Sequence, residues 1–225
     1  MSKTIILSLG GSLIVPGVIY VNFLKNFKKV IEKYVNKGYK FVIYCGGGRL
    51  ARNYQKSASK ISKLSNEDLD WLGIYAAKLN ALLIKTIFRN EAAIYVLDNP
   101  NDKRYIKKNI IIGGNLFPGR STDYDAVSAA NYFGVKEVIN MSNINYVYDK
   151  DPIKYKDAKK IEKISWSDYI KIVGAKWKPG MNVPFDPIAA KEAKKSKIKV
   201  NIIGKDLKNL ENLLDGKKFV GTAIE

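Results

Sequence analysis

The stretch Ile-Ile-Ile-Gly-Gly-Asn-Leu-Phe-Pro-Gly-Arg-Ser-Thr-Asp-Tyr-Asp-Ala-Val-Ser-Ala-Ala occupies residues 110–130. A short β-branched run ends in two glycines, a polar loop follows, and an alanine-rich helix begins. In such a unit the backbone N–H groups of the glycine turn and of the helix N-terminus can face an anion. Arg120 adds a positive charge, and Ser121 and Thr122 add hydroxyl donors. The stretch therefore predicts an anion-binding site at the end of a strand.

Two aspartates, Asp123 and Asp125, stand at the start of this helix. Carboxylates can hold Mg²⁺ or orient a cationic partner. Aspartate is also preferred at helix N-caps, so one of the two side chains could simply cap the helix. The sequence leaves both interpretations open.

Two glycine turns earlier in the chain also follow buried strands. Lys3–Leu9 leads into Gly10-Gly11-Ser12, and Phe41–Cys45 leads into three glycines, 46–48, followed by Arg49 and Arg52. Glycines leave the amides unshielded, and a guanidinium group suits phosphate, so we favour a phosphate-binding role for Arg52 over a surface position. The carboxyl ends of parallel strands share one edge of an α/β sheet. We therefore expect the three turns to meet at one crevice, where two phosphate-bearing substrates face each other.

Several classes of site are excluded or disfavoured. The chain contains no histidine, which excludes His-based general bases, His–metal sites and Ser–His triads. Neither Gly-x-x-x-x-Gly-Lys-Ser/Thr nor Gly-x-Gly-x-x-Gly is present, so a P-loop NTPase and a dinucleotide-binding fold are disfavoured. What remains is phosphoryl transfer by positioning and electrostatics, with no protein nucleophile.

Buried strands alternate with helices along the chain, and no linker interrupts them. Strands are predicted over residues 3–9, 41–45, 93–97, 137–140, 199–203 and 219–224, and helices over 21–37, 66–89, 166–173 and 207–214. This alternation predicts one α/β unit around a mainly parallel sheet. The helix over 66–89, with Asn66 as a candidate N-cap, is apolar on most sides, which predicts burial or contact with a second subunit.

Composition limits the partners and the compartment. The 225 residues include 39 Lys+Arg and 21 Asp+Glu, so the formal charge of +18 favours anionic partners without choosing among them. The single cysteine, Cys45, cannot form an internal disulfide, which fits a reducing compartment. No apolar run is long enough to span a bilayer and no secretory leader is visible. We therefore expect a cytoplasmic protein with no membrane partner.

The motifs together resemble one family, the archaeal-type uridylate (UMP) kinases of the amino-acid-kinase superfamily. The resemblance covers essentially the whole chain in order. It is carried by Leu-Ser-Leu-Gly-Gly-Ser (7–12), Cys-Gly-Gly-Gly-Arg-Leu-Ala-Arg (45–52), Asp-Trp-Leu-Gly-Ile (70–74) with Lys-Leu-Asn-Ala (78–81), Gly-Gly (113–114) with Pro-Gly-Arg-Ser-Thr-Asp (118–123), Ser-Asn-Ile-Asn-Tyr-Val-Tyr (142–148) with Asp-Pro (151–152), Pro-Phe-Asp-Pro-Ile-Ala-Ala (184–190) and Gly-Thr-Ala-Ile-Glu (221–225).

The resemblance implies the reaction ATP + UMP → ADP + UDP with Mg²⁺, in pyrimidine nucleotide biosynthesis. It implies a three-layer α/β/α sandwich around a mainly parallel sheet, usually assembled as a homohexamer. It also implies a single domain over 1–225, with an acceptor-binding half over about 1–135 and a nucleotide-binding half over about 136–225.

The resemblance also assigns residues to substrates. The ATP-binding set is Gly11, Ser12, Gly48, Arg52, Ser142, Tyr148 and Asp151. The UMP-binding set is Gly47, Asp70, Leu116, Phe117, Pro118, Gly119, Arg120, Ser121 and Thr122. The catalytic set is Arg52, Asp123 and Asp125, one of the two aspartates ordering cations near the transferring phosphoryl group. No dedicated metal site on the protein is predicted.

The chain departs from the family pattern at three places. Ser8 stands where much of the superfamily has a lysine, so the charge must come from elsewhere, either Arg52 or the basic loop with Lys176 and Lys178. The usual Asp-Gly is missing from the segment 142–148, where Tyr148 could instead belong to a hairpin. The acceptor loop is longer than usual and carries two aspartates for one role.

Two rival functions remain open at this point. One is a kinase of the same fold that acts on another small acceptor, such as a carboxylate, a carbamate or an alcohol phosphate. The other is a non-catalytic protein that binds nucleotides or nucleic acid, which the charge of +18 would suit. Against nucleic acid as the main partner, aromatic residues are not interleaved with basic ones as a stacking platform requires.

Overall fold

The computed structural model describes residues 3–93, 107–114, 117–181 and 183–225. Its strands are β1 (Thr4–Leu9), β2 (Lys40–Cys45), β3 (Ile110–Gly113), β4 (Glu137–Met141), β5 (Val147–Tyr148), β6 (Lys160–Ile161), β7 (Lys163–Ile164), β8 (Lys199–Ile203) and β9 (Gly221–Ile224). Seven of them form one sheet in the order β3-β2-β1-β4-β8-β9-β7. All neighbours in this sheet are parallel except β8 and β9. The strands β5 and β6 form a separate antiparallel pair.

Helices cover both faces of the sheet. They are α1 (Gly11–Ile14), α2 (Val21–Asn36), α3 (Gly48–Ile61), α4 (Asn66–Phe88), α5 (Thr122–Tyr132), α6 (Trp166–Val173), α7 (Pro187–Ser196) and α8 (Leu207–Leu214). Side chains of α1, α2, α4 and α8 share one hydrophobic cluster, and those of α5, α6 and α7 share the other. The predicted three-layer α/β/α sandwich is therefore confirmed.

The central strands are apolar on both sides because both sheet faces are covered. In β1, Leu7 and Leu9 face the cluster of α2 and α4, while Ile6 faces that of α5 and α7. Such a strand shows no alternation of polar and apolar residues. The continuous apolar runs in the sequence were for this reason a correct signal for a buried parallel sheet.

Several element bounds agree with the prediction, and two helix caps do not. The helices over 166–173 and 207–214 and the strand over 199–203 are found as predicted. The N-cap of α4 is Ser65 and not Asn66: the Ser65 hydroxyl accepts from the Asp68 N–H, and the Asp68 carboxylate accepts from the Ser65 N–H. This reciprocal pairing is a capping box, which satisfies backbone N–H donors at the helix start.

The cap of α5 is also a serine. The Ser121 hydroxyl accepts the Asp123 N–H at 3.0 Å, so neither Asp123 nor Asp125 serves as the N-cap. The simple capping interpretation of the two aspartates is therefore wrong, because the preceding serine already meets that need.

At the far edge of the sheet, Ala92 forms a parallel bridge with Ile110. Residues 94–97 of the predicted strand over 93–97 lie outside the described residues. In the described ranges, α4 is the one helix long and apolar enough, by length and composition, to cross a membrane. Its residues Ala81, Ile84 and Phe88 lie in the hydrophobic core. One side of this helix therefore packs into the core of the protein.

Candidate active site

The glycine turns after β1 and β2 lie directly against each other. The N–H of Gly46 donates to the carbonyl of Leu9 at 2.9 Å. A Cβ atom on Gly11 would overlap the carbonyl oxygen of Gly46, and one on Gly48 would overlap the backbone of Gly11. Gly48 also has a φ of +58°. Only glycine permits this close approach, which leaves backbone amides without side-chain cover.

A cavity of about 200 Å³ lies at these turns. Its lining includes Ser8, Gly10, Gly11, Ser12, Gly46, Gly47, Gly48, Arg52, Gln55, Asp70, Ser121, Thr122, Asp123, Asn140, Ser142, Asn143, Trp177, Gly180 and Met181. Pockets that enclose a whole drug-sized ligand usually measure roughly 300–1,000 Å³. This cavity is therefore smaller than two entire nucleotides would need. It suits the ends of two ligands that meet there.

Arg52 supplies a positive charge to the cavity from the second turn of α3. Its Nη2 atom donates to the Ser12 hydroxyl at 3.3 Å. Burial and the nearby Arg49 guanidinium lower the pKa of Arg52 from its ordinary value. An arginine nevertheless stays protonated in proteins, so the charge persists. Arg49 instead donates to the Pro16 carbonyl at 2.9 Å, on the exposed side.

Asp123 also lines the cavity, at the start of α5, and its carboxylate accepts hydrogen bonds from uncharged donors. Its Oδ1 accepts from the Ser8 hydroxyl at 2.8 Å and from the Asn140 amide at 2.8 Å. Its Oδ2 accepts from the backbone N–H of Asp186 at 3.3 Å. Burial, followed by the negative charge of Asp186, raises the pKa of Asp123 to about 7.

Asp186 is the N-cap of α7 and the second carboxylate at this point. One oxygen accepts the N–H groups of Ile188 and Ala189 at 2.6 and 3.0 Å, and the other accepts the Ser121 hydroxyl. Burial raises the pKa of Asp186 above its usual range. Two carboxylates thus lie side by side, Asp186 buried and Asp123 partly buried, and each is held by hydrogen bonds from uncharged groups.

The start of α4 is tied to the loop before α5. The Asp70 carboxylate, which is buried, accepts the N–H of Gly119 at 2.7 Å. About one turn beyond the middle of α4, the side-chain amide of Asn80 donates to the Gly46 carbonyl at 2.8 Å. The helix therefore connects the loop over 117–121 with the glycine turn after β2.

The chain is similar to known proteins over its full length. The model of the amino acid kinase family matches residues 3–204. The uridylate kinase of Thermoplasma volcanium is 32% identical over 227 residues, which cover 100% of this chain and 99% of the relative. That of Pyrococcus abyssi is 34% identical and is covered to 99%. The chain belongs to the amino acid kinase family.

A solved structure supports the same conclusion at the level of the fold. The crystal structure of uridylate kinase from Archaeoglobus fulgidus superimposes with a TM-score of 0.82 at 31% sequence identity, and 100% of each chain is covered. The described residues therefore share the α/β fold of that structure.

Within this amino acid kinase domain, most residues predicted to contact ATP come together. Gly11, Ser12, Gly48, Arg52 and Ser142 all line the cavity. Tyr148 and Asp151 do not: Tyr148 pairs with Lys160 in the β5–β6 hairpin, and the Asp151 carboxylate accepts the Ile153 N–H at 2.9 Å.

The residues predicted to contact UMP are divided between the cavity and its rim. Gly47, Asp70, Ser121 and Thr122 line the cavity. Phe117, Pro118 and Gly119 lie in the adjoining loop, and Leu116 lies outside the described residues. The third glycine turn, Gly113-Gly114, ends β3 at the same sheet edge but does not line the cavity, because Tyr44 and Lys78 pack against it.

The structure separates the two aspartates of the acceptor loop. Asp123 lines the cavity, whereas Asp125 is buried and does not line it, with its Oδ1 atom 3.4 Å from Nε of Arg120. The Arg120 guanidinium also lies 4.9 Å from the ring centres of both Phe117 and Tyr124. The basic residues Lys176 and Lys178 are exposed and do not line the cavity.

Several residues that line the cavity or contact its lining were not predicted from the sequence. Asn140, Asp186, Gln55 and Trp177 were not identified as site residues. A signal existed for Asn140, which is a polar residue inside an apolar strand, and for Asp186, which directly precedes a proline at the start of a helix. Gln55 lies on α3 and Trp177 in the segment between α6 and α7, and only tertiary packing brings both residues to the cavity.

Proposed function

We propose that this protein is a soluble, cytoplasmic nucleoside monophosphate kinase, which transfers the γ-phosphoryl group of ATP to UMP and produces ADP and UDP. The observation that carries the proposal is the cavity at which two glycine turns, Arg52 and Asp123 meet. Relatives at 32% and 34% identity over nearly their whole length are uridylate kinases.

The ATP phosphates would lie against the first glycine turn and the N-terminus of α3. Gly11, Ser12 and Gly48 offer backbone amides there, and Arg52 supplies the charge nearest to them. Helix N-termini and unshielded amides favour phosphate groups. In a phosphoryl transfer, such fixed donors stabilise the charge that spreads over the transferring group.

UMP would approach from the opposite side, where Asp70 and the loop over 117–121 meet. The bond between Asp70 and the Gly119 N–H keeps this loop close to Gly47 at the cavity. Holding two substrates in line and at short distance accounts for a large part of the rate in reactions without a protein nucleophile. Tyr148, Asp151 and Leu116 stay predictions for the outer parts of the two nucleotides.

Mg²⁺ would join the reaction together with ATP. No group of three His, Cys, Asp or Glu side chains in the described residues is arranged to hold a metal by itself. Mg²⁺ commonly binds through one or two carboxylates together with substrate phosphates. The Asp123 carboxylate at the cavity fits that requirement, with the negative charge of Asp186 beside it, and a bound ion would offset phosphate charge. We assign the cation-ordering role to Asp123 and not to Asp125, since Asp123 lines the cavity.

The kinase would assemble as a homo-oligomer, and a hexamer is what the family resemblance implies. On the outer face of α4, Trp71, Tyr75, Leu79 and Leu82 are 39%, 68%, 59% and 49% exposed. Their spacing places them on one side of the helix, opposite the core-facing Ala81 and Ile84. A continuous apolar stripe of this kind supports contact with a second copy.

The substrate assay is a direct test. Purified protein with Mg-ATP is expected to convert UMP to UDP and to be at least about tenfold less active on CMP, AMP, carbamate or acetylglutamate. Anion-exchange chromatography separates the products, and UDP and ADP are expected in equal amounts. Faster turnover of another acceptor would show that this acceptor, and not UMP, is the substrate. Tight, salt-sensitive RNA binding without ADP release would favour a non-catalytic binding protein.

The site assignment has a separate test. Arg52→Ala and Asp123→Ala are each expected to lower kcat by about 10²–10³, the loss typical of removing a fixed electrostatic contact. Arg49→Ala is the matched control for Arg52, because Arg49 bonds to the Pro16 carbonyl outside the cavity. Circular dichroism checks that the fold is retained. Near-normal activity of both site variants would contradict the assignment.

A further inference from the structure

Ser8 and Asn140 are two polar residues at one level of the central sheet. They are direct partners in the parallel pairing of β1 with β4, and their exposures are only 2% and 4%. Their neighbours on the same sheet face, Ile6 and Val138, belong to the hydrophobic core. Polar groups in such surroundings are costly unless they form hydrogen bonds.

Both side chains donate to the same atom. The Ser8 hydroxyl and the Asn140 amide each lie 2.8 Å from Oδ1 of Asp123. The amide oxygen of Asn140 has no hydrogen-bond partner among the described residues, so the bond to Asp123 is the contact that orients this side chain. The Asp186 N–H contacts the other oxygen of Asp123. Donors from β1, β4 and the start of α7 thus fix the carboxylate in position and rotation.

All three donors are uncharged. A lysine at position 8 would supply a charge to the cavity and would also neutralise Asp123. A hydroxyl group supplies no charge, and it holds the carboxylate without cancelling its negative charge. Ser8 is therefore not a substitute for the lysine found in much of the superfamily, and its contribution passes through Asp123.

We propose that Ser8 and Asn140 are positioning residues for phosphoryl transfer. They hold the Asp123 carboxylate at the cavity with neutral hydrogen bonds and leave its charge available to the cation that accompanies the phosphates. The inference rests on the proposed kinase function and deepens it, because it names the residues that hold Asp123 at the cavity.

The test uses full-length Ser8→Ala and Asn140→Ala proteins. Each is expected to lower kcat about tenfold or more and to change the KM for UMP by less than about twofold, since the residues act on the reacting centre through Asp123. Ser8→Thr keeps the hydroxyl group and is expected to recover most of the activity. Asn201→Ala is the matched control, because Asn201 is equally buried on the neighbouring β8 but donates to Glu137.

A double variant separates positioning from a general structural effect. If Ser8 acts through Asp123, then Ser8→Ala lowers the residual activity of the Asp123→Ala protein no further. The inference is overturned if Ser8→Ala and Asn140→Ala lower kcat no more than Asn201→Ala does, or if the Ser8→Ala loss persists in the Asp123→Ala background. If the wild-type protein prefers another acceptor, the assignment of UMP as the substrate is wrong, and the same variants are measured with that acceptor. If it phosphorylates none, both the kinase proposal and this inference fail.

Discussion

At the scale of single residues, Asp123 has an environment unlike that of a surface aspartate. It is partly buried and lies beside Asp186, and the loss of water around it and the negative charge of Asp186 raise its pKa to about 7. In an unfolded chain the pKa of an aspartate lies near 3.9. Between these pH values the folded protein holds a proton that the unfolded chain has already lost. The free energy of unfolding therefore falls as the pH rises through this range. Tyr169 and Asp186 are the titratable groups that face Asp123.

The variant Asp123→Asn removes this titration and changes the pH dependence of stability. Without substrates, the free energy of unfolding of the wild-type protein is expected to fall, relative to that of the variant, between about pH 4 and pH 7. The difference amounts to a few kcal/mol, since one pK unit corresponds to about 1.4 kcal/mol. Urea unfolding at several pH values measures it. The control is Asp157→Asn, in an exposed loop, and parallel pH curves for wild type and Asp123→Asn would contradict the expectation.

At the scale of elements, α4 connects the core, the acceptor loop and the outer surface. Its inner side contributes Ala81 and Ile84 to the core, and Asp70 in its second turn bonds to the loop over 117–121. Its beginning is secured by the capping box of Ser65 and Asp68. The sequence predicted the extent and the burial of this helix but not its cap. Serine and asparagine are similarly favoured at N-caps, and only the backbone path decides between adjacent candidates.

The variants Ser65→Ala and Asn66→Ala distinguish the two candidate caps. Loss of the Ser65 hydroxyl is expected to cost about 1 kcal/mol, typical of a removed N-cap. For a chain of this size this corresponds to a fall in Tm of about 2–4 °C. Asn66→Ala is expected to leave Tm within about 1 °C. Thermal unfolding by circular dichroism measures both, and the opposite order would restore Asn66 as the cap.

The segment between α6 and α7 contributes Trp177, Gly180 and Met181 to the cavity. The indole N–H of Trp177 is buried and has no hydrogen-bond partner among the described residues. Trp166, in contrast, is buried in the core and donates to the Ile198 carbonyl at 3.0 Å. A buried donor without a partner is unfavourable, and a substrate oxygen at the cavity would supply one.

Tryptophan fluorescence tests this arrangement. Addition of UMP or ATP is expected to change the emission of the wild-type protein, because substrates alter the surroundings of Trp177. Trp177→Phe is expected to abolish the change, whereas Trp71→Phe, on the outer face of α4, retains it. An unchanged response in Trp177→Phe would show that this segment does not contact the substrates.

At the scale of the whole molecule, charge and exposed apolar surface affect what the protein binds. The formal charge of +18 favours anionic substrates and keeps the protein in solution. An exposed apolar stripe instead favours association with another protein surface. On this protein the stripe consists of Trp71, Tyr75, Leu79 and Leu82. The same helix carries Asp70, so an interface on its outer face would also steady the acceptor side of the cavity.

The variant Leu79→Glu tests the interface. A carboxylate in the middle of an apolar contact is costly to bury, so the variant is expected to form a smaller species than the wild-type protein. Size-exclusion chromatography with light scattering measures the mass. Ile153→Glu places the same charge at a residue that is 92% exposed in a loop, and it is expected to leave the assembly intact. A monomeric wild-type protein at micromolar concentration would contradict the proposed oligomer.

Local patterns in the chain were enough to predict the layered architecture and the two glycine turns with Arg52. These patterns are continuous apolar runs, helical periodicity, and glycine where strands end. The choice of the aspartate that lines the cavity, and of the residues that hold it, depends on tertiary contacts. Ser8 and Asp123 are 115 positions apart, and Ser8 meets Asn140 through the register of two strands. Such a meeting depends on how whole strands and helices align, and no local pattern in the chain specifies that alignment.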